Sequence, residues 1–261
     1  MLHPYTNITA CFSLLGLTLF NSTLVAAKEY SLSASWVKNK SHFFEDFKDQ
    51  RVLLFQFGYP NTQTQLEQTL DTRSDSYAIT AGYRYSRYLT FKASYLGKSD
   101  YSLKSTFKHI SDTDNGKHVV EGQDSIKSKI IATRLGLTAE LPILHKLAVG
   151  VNLGLTLSRI NTQRNISGNI ISANNTATPI QAHKTTSDYE SNIYSGLYIA
   201  YSISEQWKII SHWDRYFNQG VYNNYPSIVA PDGSIISLNM GDNHHIDSYG
   251  IGIEYRFKGK Q

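Results

Sequence analysis

From residue 28 onward, hydrophobic and polar residues alternate with a period of two, and no helical stripe is sustained. In the clearest run, residues 147–158, six large aliphatic side chains share one face, and small or polar residues occupy the other. Seven more segments alternate in the same way: residues 29–37, 76–85, 89–97, 129–141, 187–203, 207–217 and 243–257. Several of them have the roughly 9–11 residues that a tilted membrane-spanning β-strand needs. The pattern predicts eight strands.

The connections between these segments come in two sizes. Three are tight, at residues 86–88, 142–146 and 204–206, and four are long, at residues 38–75, 98–128, 161–186 and 218–242. All the long ones fall at one end, as in transmembrane barrels. We therefore predict an all-β protein, an eight-stranded antiparallel up-and-down transmembrane β-barrel with four long extracellular loops. The apolar segment Arg51–Phe57 lies in the first long connection and leaves a ten-stranded alternative open.

Two features predict that the aliphatic face points outward into lipid. The opposite face is rich in small residues such as Gly136, Gly150 and Gly154, which suit a crowded interior. Aromatic residues on the aliphatic face fall near both strand ends, as expected for two membrane-interface belts. The predicted belt residues are Trp36, Tyr77, Tyr83, Tyr85, Tyr95, Tyr189, Tyr201, Trp207, Trp213, Tyr249, Tyr255 and Phe257.

The polar face then becomes the lumen, and it carries five cations and five anions. An eight-stranded barrel is only wide enough for its own side chains to fill it, and buried charges must pair. We expect a structural plug, with a gated, narrow polar channel for small solutes as the alternative. The charged positions are Arg84, Lys92, Arg134, Lys208 and Arg256 against Glu29, Glu140, Glu190, Asp214 and Glu254, and His212 joins their network.

The N-terminal 27 residues have the pattern of a cleaved secretory signal. An apolar run over residues 10–20 is followed by Val25 and Ala27 at the −3 and −1 positions. Cleavage there would leave residues 28–261 as the barrel and remove the single cysteine, Cys11. The net charge of +4 comes without any Lys/Arg block, so the chain has no electrostatic footprint for nucleic acid.

The sequence offers little support for metal or catalytic chemistry. His244 and His245 are adjacent, so on a strand they point to opposite faces and cannot easily share an ion. His212, Asp214 and Ser248 could be drawn into a hydrolase triad, but no local motif supports it. We therefore predict no metal, no cofactor and no catalysis, and keep a barrel-embedded hydrolase or acyltransferase as a further alternative.

Three segments resemble OmpA-like outer-membrane β-barrel proteins. Residues 77–95 (YAITAGYRYSRYLTFKASY) resemble one hairpin of that family, and residues 198–216 (YIAYSISEQWKIISHWDRY) resemble its third hairpin. Residues 248–257 (SYGIGIEYRF) resemble the closing strand, whose final aromatic residue the barrel-assembly machinery reads. The resemblance implies an eight-stranded barrel in a bacterial outer membrane. The sequence departs from the family pattern in the four residues after Phe257. The resemblance does not extend to a peptidoglycan-binding domain.

The long connections are polar and carry turn residues and scattered aromatics. Loops on a rigid scaffold are where recognition usually resides. We therefore expect a structural or surface-interaction protein, a monomer surrounded by outer-membrane lipid, whose loops can bind an extracellular ligand.

Overall fold

A computed structural model of the chain describes residues 29–42, 62–113, 116–217, 228–229, 235–236 and 245–258. Among these residues there is no helix long and apolar enough to cross a membrane. The strands are β1 (Glu29–Ser41), β2 (Thr62–Asp71), β3 (Arg73–Arg84), β4 (Leu89–Thr113), β5 (Gly116–Pro142), β6 (Leu147–Ile171), β7 (Ala177–Ser202), β8 (Trp207–Phe217), β9 (Ile228–Val229), β10 (Ile235–Ile236) and β11 (His245–Lys258). The predicted signal segment, residues 1–27, lies outside the described residues.

Within the described part of the chain, eight strands close a ring. Within the ring, each strand pairs antiparallel with two neighbours, and β1 closes the ring against β11. The ring strands are β1, β3, β4, β5, β6, β7, β8 and β11. The predicted eight-stranded barrel is confirmed. β2 precedes β3 in the chain and pairs with β4 along Ser102–Ser111, beyond the ring. The segment Arg51–Phe57, which left a ten-stranded alternative open, lies outside the described residues.

The strands are staggered as they pass around the barrel. Following hydrogen-bonded partners once around the ring from Tyr30 leads back to Lys40 on the same strand, an offset of ten residues. A fixed stagger of this kind tilts the strands relative to the barrel axis. Closure pairs the backbone groups of all eight strands with one another, which a hydrocarbon environment requires.

The aliphatic face points outward, as the sequence predicts. Leu153, Leu197 and Ile251 are each about half exposed on the barrel wall. The residues between them along the strands, including Asn152, Tyr198 and Gly250, are buried in the interior. An exposed apolar wall of this kind suits contact with the hydrocarbon of a bilayer.

Two of the four predicted long loops are wrong, because strands occupy most of them. β4 and β5 continue as one hairpin through residues 98–128, and β6 and β7 do the same through residues 161–186. The first predicted loop contains β2 and the end of β1. In the last, the described residues form the short pair β9 and β10.

The strands were predicted too short because the apolar side chains change faces partway along them. On β6 the outward residue is aliphatic at Leu157 and charged at Arg159. The inward residue is polar at Ser158 and aliphatic at Ile160. β5 changes in the same region, where Ile126 and Ile130 point inward. A pattern of apolar residues on one constant face therefore ends where the strand leaves the membrane, although the strand itself continues.

The outward orientation predicts a depth-dependent response to charge. Leu197→Arg places a cation near the middle of the apolar wall and should destabilise the barrel by about 2–4 kcal/mol, whereas Leu157→Arg, beside the change of faces, should cost about 0–1 kcal/mol. Urea unfolding in phospholipid vesicles, followed by fluorescence of the outward tryptophans, measures both. Equal effects of the two substitutions would contradict a membrane around this wall.

Candidate functional site

Arg134 is the centre of a buried network in the outer half of the lumen. Its Nη1 donates to Asp214 Oδ2 and to the Tyr216 hydroxyl, each at 2.7 Å. Asn152 Nδ2 donates to the other carboxylate oxygen of Asp214 at 2.9 Å, and His212 Nδ1 lies 2.8 Å from Oδ2. The Asp214 carboxylate thus has polar neighbours at both oxygens, and its charge is balanced by Arg134.

A second network fills the half of the lumen near the tight turns. Lys208 Nζ donates to Glu140 Oε1 at 2.6 Å. Arg256 Nε donates to Glu254 Oε1 at 3.0 Å, and its Nη2 lies 3.7 Å from Glu140 Oε2. The two acids and two bases alternate around the lumen, so each buried charge faces an opposite one.

The remaining predicted lumen residues lie at several levels of the barrel. Lys92 lines the cavities beside both networks. Lys92 Nζ lies 3.9 Å from the centre of the Tyr198 ring. Arg84 forms an ion pair with Glu29 at 3.0 Å at the mouth with the tight turns. Asn192 Nδ2 donates to the carboxylate of Glu190 at 3.5 Å.

Three lumen tyrosines were not predicted. Tyr194, Tyr198 and Tyr216 are buried inside the barrel, and the guanidinium of Arg134 lies 5.4 Å from the ring centre of Tyr194. Gly136 makes room for Tyr194, because a Cβ at that position would lie 2.2 Å from the tyrosine hydroxyl. The signal was available, since alternation places these tyrosines on the same face as the lumen charges.

Small cavities lie along the lumen. Three cavities along it have volumes of 20, 30 and 10 Å³, and the middle one is lined by Arg134, Asp214 and His212 among others. Each is about large enough for a single water molecule. Each of these three cavities is therefore too small for a solute much larger than water.

The twelve predicted belt aromatics all lie on the outer wall. Several make ring contacts near the tight turns, where the ring centre of Tyr255 lies 4.8 Å from the ring centres of both Trp207 and Phe257. At the other end, Tyr77 and Tyr95 lie 6.2 Å apart. Their positions are Trp36, Tyr77, Tyr83, Tyr85, Tyr95, Tyr189, Tyr201, Trp207, Trp213, Tyr249, Tyr255 and Phe257.

Beyond the barrel, β2 and the outer parts of β4–β7 form a five-stranded sheet, which we call the protruding sheet. Its strand order is β2-β4-β5-β6-β7, and it comprises residues 62–71, 99–113, 116–130, 159–171 and 177–190. Its inner face has a core of its own, in which Phe107, Val120, Ile166 and Ile180 pack together. The sheet is therefore a packed structure on top of the barrel.

A buried ion pair, absent from the sequence predictions, lies inside the protruding sheet. Arg164 Nε donates to both carboxylate oxygens of Asp124, at 3.1 and 3.0 Å, and its Nη2 donates to Oδ2 at 2.6 Å. Both side chains are almost fully buried. The fork geometry of guanidinium and carboxylate fixes the register of β5 against β6 at this point.

The outer face of the protruding sheet is polar and exposed. Lys108 and Glu121 form an exposed ion pair at 3.2 Å across β4 and β5. A shallow groove of about 410 Å³ passes over this region and is also lined by Gln65, Glu67 and Asn169. The protruding sheet thus presents a polar surface with a shallow groove, beyond the membrane-spanning part of the barrel.

The possible hydrolase triad is only partly assembled. His212 and Asp214 are in contact, and Ser248 lies opposite Asp214 on the neighbouring strand. Ser248 and Asp214 are buried in the lumen, and the adjacent cavity of 30 Å³ has no room for a lipid or peptide. The arrangement can orient an imidazole.

No protein-family model matches the chain, and no curated protein matches it in sequence. Among solved structures, OprG from Pseudomonas aeruginosa is similar at 10% identity and a TM-score of 0.47, covering 90% of this chain and 98% of its own. Ail from Yersinia pestis, the attachment invasion locus protein, has 9% identity, a TM-score of 0.37 and coverages of 88% and 99%. Neisserial surface protein A has 10% identity and a TM-score of 0.39, and the match covers 87% of this chain and 97% of its own. These are outer-membrane and surface proteins, the class that the sequence motifs resemble, and at such values the similarities carry no conclusion about activity.

The Arg134 network predicts a strong dependence on charge balance. Asp214→Asn leaves Arg134 buried without a counter-ion and should lower the free energy of unfolding by about 3–5 kcal/mol, because a buried charge loses its partner. Combining Arg134→Met with Asp214→Leu should recover part of this loss. Urea unfolding in lipid vesicles gives the values. Glu121→Gln, at the exposed pair, should change stability by less than about 1 kcal/mol, and an equal loss there would contradict the prediction.

The protruding sheet should loosen in acid because of His109. This side chain is buried on β4, and burial lowers its pKa below the ordinary value of 6.5. As the pH falls, the exposed imidazole of the opened segment therefore takes up a proton at a higher pH than the buried imidazole of the closed sheet. The free energy that keeps the sheet closed is thus largest above pH 6.5 and declines as the pH falls below that value. Amide hydrogen exchange in residues 102–111, corrected for intrinsic rates, should speed up between pH 7 and pH 5. His109→Gln should remove that change, and His118→Gln should retain it.

Proposed function

We propose that this outer-membrane β-barrel protein is a surface-interaction protein, in which the plugged barrel is the anchor and the protruding sheet binds a partner outside the cell. The observation that carries the proposal is the packed sheet beyond the membrane. Its core of Phe107, Val120, Ile166 and Ile180, together with the Asp124–Arg164 pair, holds its outer face in one shape. A preformed surface binds without the cost of ordering a loop.

The lumen supports an anchoring role more than transport or catalysis. Its networks place opposite charges against each other, and cavities of 10 to 30 Å³ leave room for single waters. A conduit for small solutes would need those networks to open. A hydrolase acting through His212 would need a path for its substrate past the same side chains.

The surroundings of the barrel follow from the same proposal. The apolar wall contacts outer-membrane lipid, the final strand is recognised by the barrel-assembly machinery, and the barrel acts as a monomer because its ring has no open edge. The partner of the protruding sheet is expected to be a polar surface other than nucleic acid. The groove of the protruding sheet, lined by Gln65, Glu67 and Asn169, offers both hydrogen-bond donors and hydrogen-bond acceptors.

A shortened variant tests the proposal. Replacing residues 103–126 and 163–185 with Asn-Gly turns joins the partners Ser102 and Lys127, and Thr162 and Thr186, and leaves the ring intact. Bacteria that produce the full chain should adhere to immobilised matrix proteins or epithelial cells more strongly than bacteria that produce the variant. Heat-modifiable gel mobility checks that the variant still forms a barrel.

Two other results would point to the alternatives. Planar-bilayer conductance that survives the shortening and changes in Arg134→Ala would favour a channel. Hydrolysis of a lipid or peptide panel that is lost in His212→Ala would favour an enzyme. Adhesion that is equal for the full chain and the shortened variant would overturn the proposed role of the sheet.

A further inference from the structure

Three metal-ligating side chains meet on the outer wall, just beyond the belt residues Trp213 and Tyr249. His245 and Asp247 are two residues apart on β11, so both point to the same face. His42 follows the last residue of β1, and its backbone N–H donates to the carbonyl of His245 at 3.0 Å. Strand pairing thus joins two histidines that are 203 positions apart in the sequence.

The potential ligand atoms of these three residues converge. All lie within 4.8 Å of one another, and His42 Nε2 is 3.2 Å from Asp247 Oδ2. The two imidazole rings stack with their centres 4.2 Å apart. Imidazole nitrogen and carboxylate oxygen are preferred ligands of Zn²⁺, and three protein ligands commonly share the ion with a water molecule.

Arg215 orients the carboxylate of this cluster. Its Nε donates to Asp247 Oδ1 at 2.7 Å, and its Nη2 donates to Oδ2 at 2.9 Å. The carboxylate is almost fully buried, although it lies on the outward face of the strand. An ion bound at Oδ2 could retain the Nε–Oδ1 hydrogen bond as a second-shell contact of the kind that positions metal ligands.

We propose that His42, His245 and Asp247 form a binding site for a divalent transition-metal ion of the zinc class. The sequence predicts no such site, because the adjacent His244 and His245 cannot share an ion, whereas strand pairing supplies a different second histidine. Arg215 and the neighbouring Lys40 add positive charge, which makes the site weaker than a structural zinc site. The ion would join β1 to β11 where the ring closes, at the base of the region outside the membrane.

Equilibrium dialysis of the full chain against Zn²⁺ in detergent tests the site. We expect one ion per chain, and both His42→Gln and His245→Gln should weaken its binding by at least about tenfold. His118→Gln and His183→Gln are matched controls, because both histidines lie in the protruding sheet, and they should leave binding unchanged. Binding that is absent, or that persists in either His42→Gln or His245→Gln, would overturn the proposal.

A measurement on the unaltered protein covers variants that fail to fold. Diethyl pyrocarbonate modifies accessible histidines, and mass spectrometry locates the modified residues. Zn²⁺ should protect His42 and His245 and leave the modification of His118 and His183 unchanged. Equal protection of all four histidines, or of none, would also overturn the site.

Discussion

The medium around the strands decides which face of each strand is apolar, and the rest of the structure depends on that constraint. Hydrocarbon surrounds the ring, so aliphatic side chains point outward and charges are confined to the lumen. Water surrounds the protruding sheet, so the same strands turn their apolar side chains inward. On β6 the change takes place between Leu157 and Ile160. One hydrogen-bonded framework therefore serves two solvents without a break in the strands.

That change of faces separates what the sequence could predict from what it could not. Eight strands and their outward face were predictable, because within the membrane the apolar residues keep one parity over about ten residues. The outer halves of the β4–β5 and β6–β7 hairpins were missed, since their outward positions, such as Lys104 and Lys108, are polar and resemble a loop. On β4 a register shift between Leu96 and Ser99 interrupts the pattern at the same level. Following the parity through the change would have revealed Tyr101, Leu103 and Phe107 as inward residues.

The lumen was predictable in its members but not in its contacts. Parity alone places Arg134 and Asp214 inside, but their hydrogen bond joins residues 80 positions apart. Which charges meet depends on the stagger of ten residues around the ring, and no single strand encodes that stagger. The same limit applies to His42 and His245, which become neighbours only when the first and last strands pair. Local sequence gives a side chain its face, and closure of the ring gives it a partner.

The plugged lumen and the protruding sheet support one another mechanically. β4–β7 have 25 to 27 residues each and continue without interruption from the tight turns to the tip of the sheet. Any flattening of the barrel would change the angles between these strands and disturb the packing of the sheet. Arg134 resists that change, because it connects β5 to Asp214 and Tyr216 on β8, on another part of the wall. The charged interior therefore contributes to the shape of a surface that lies far from it.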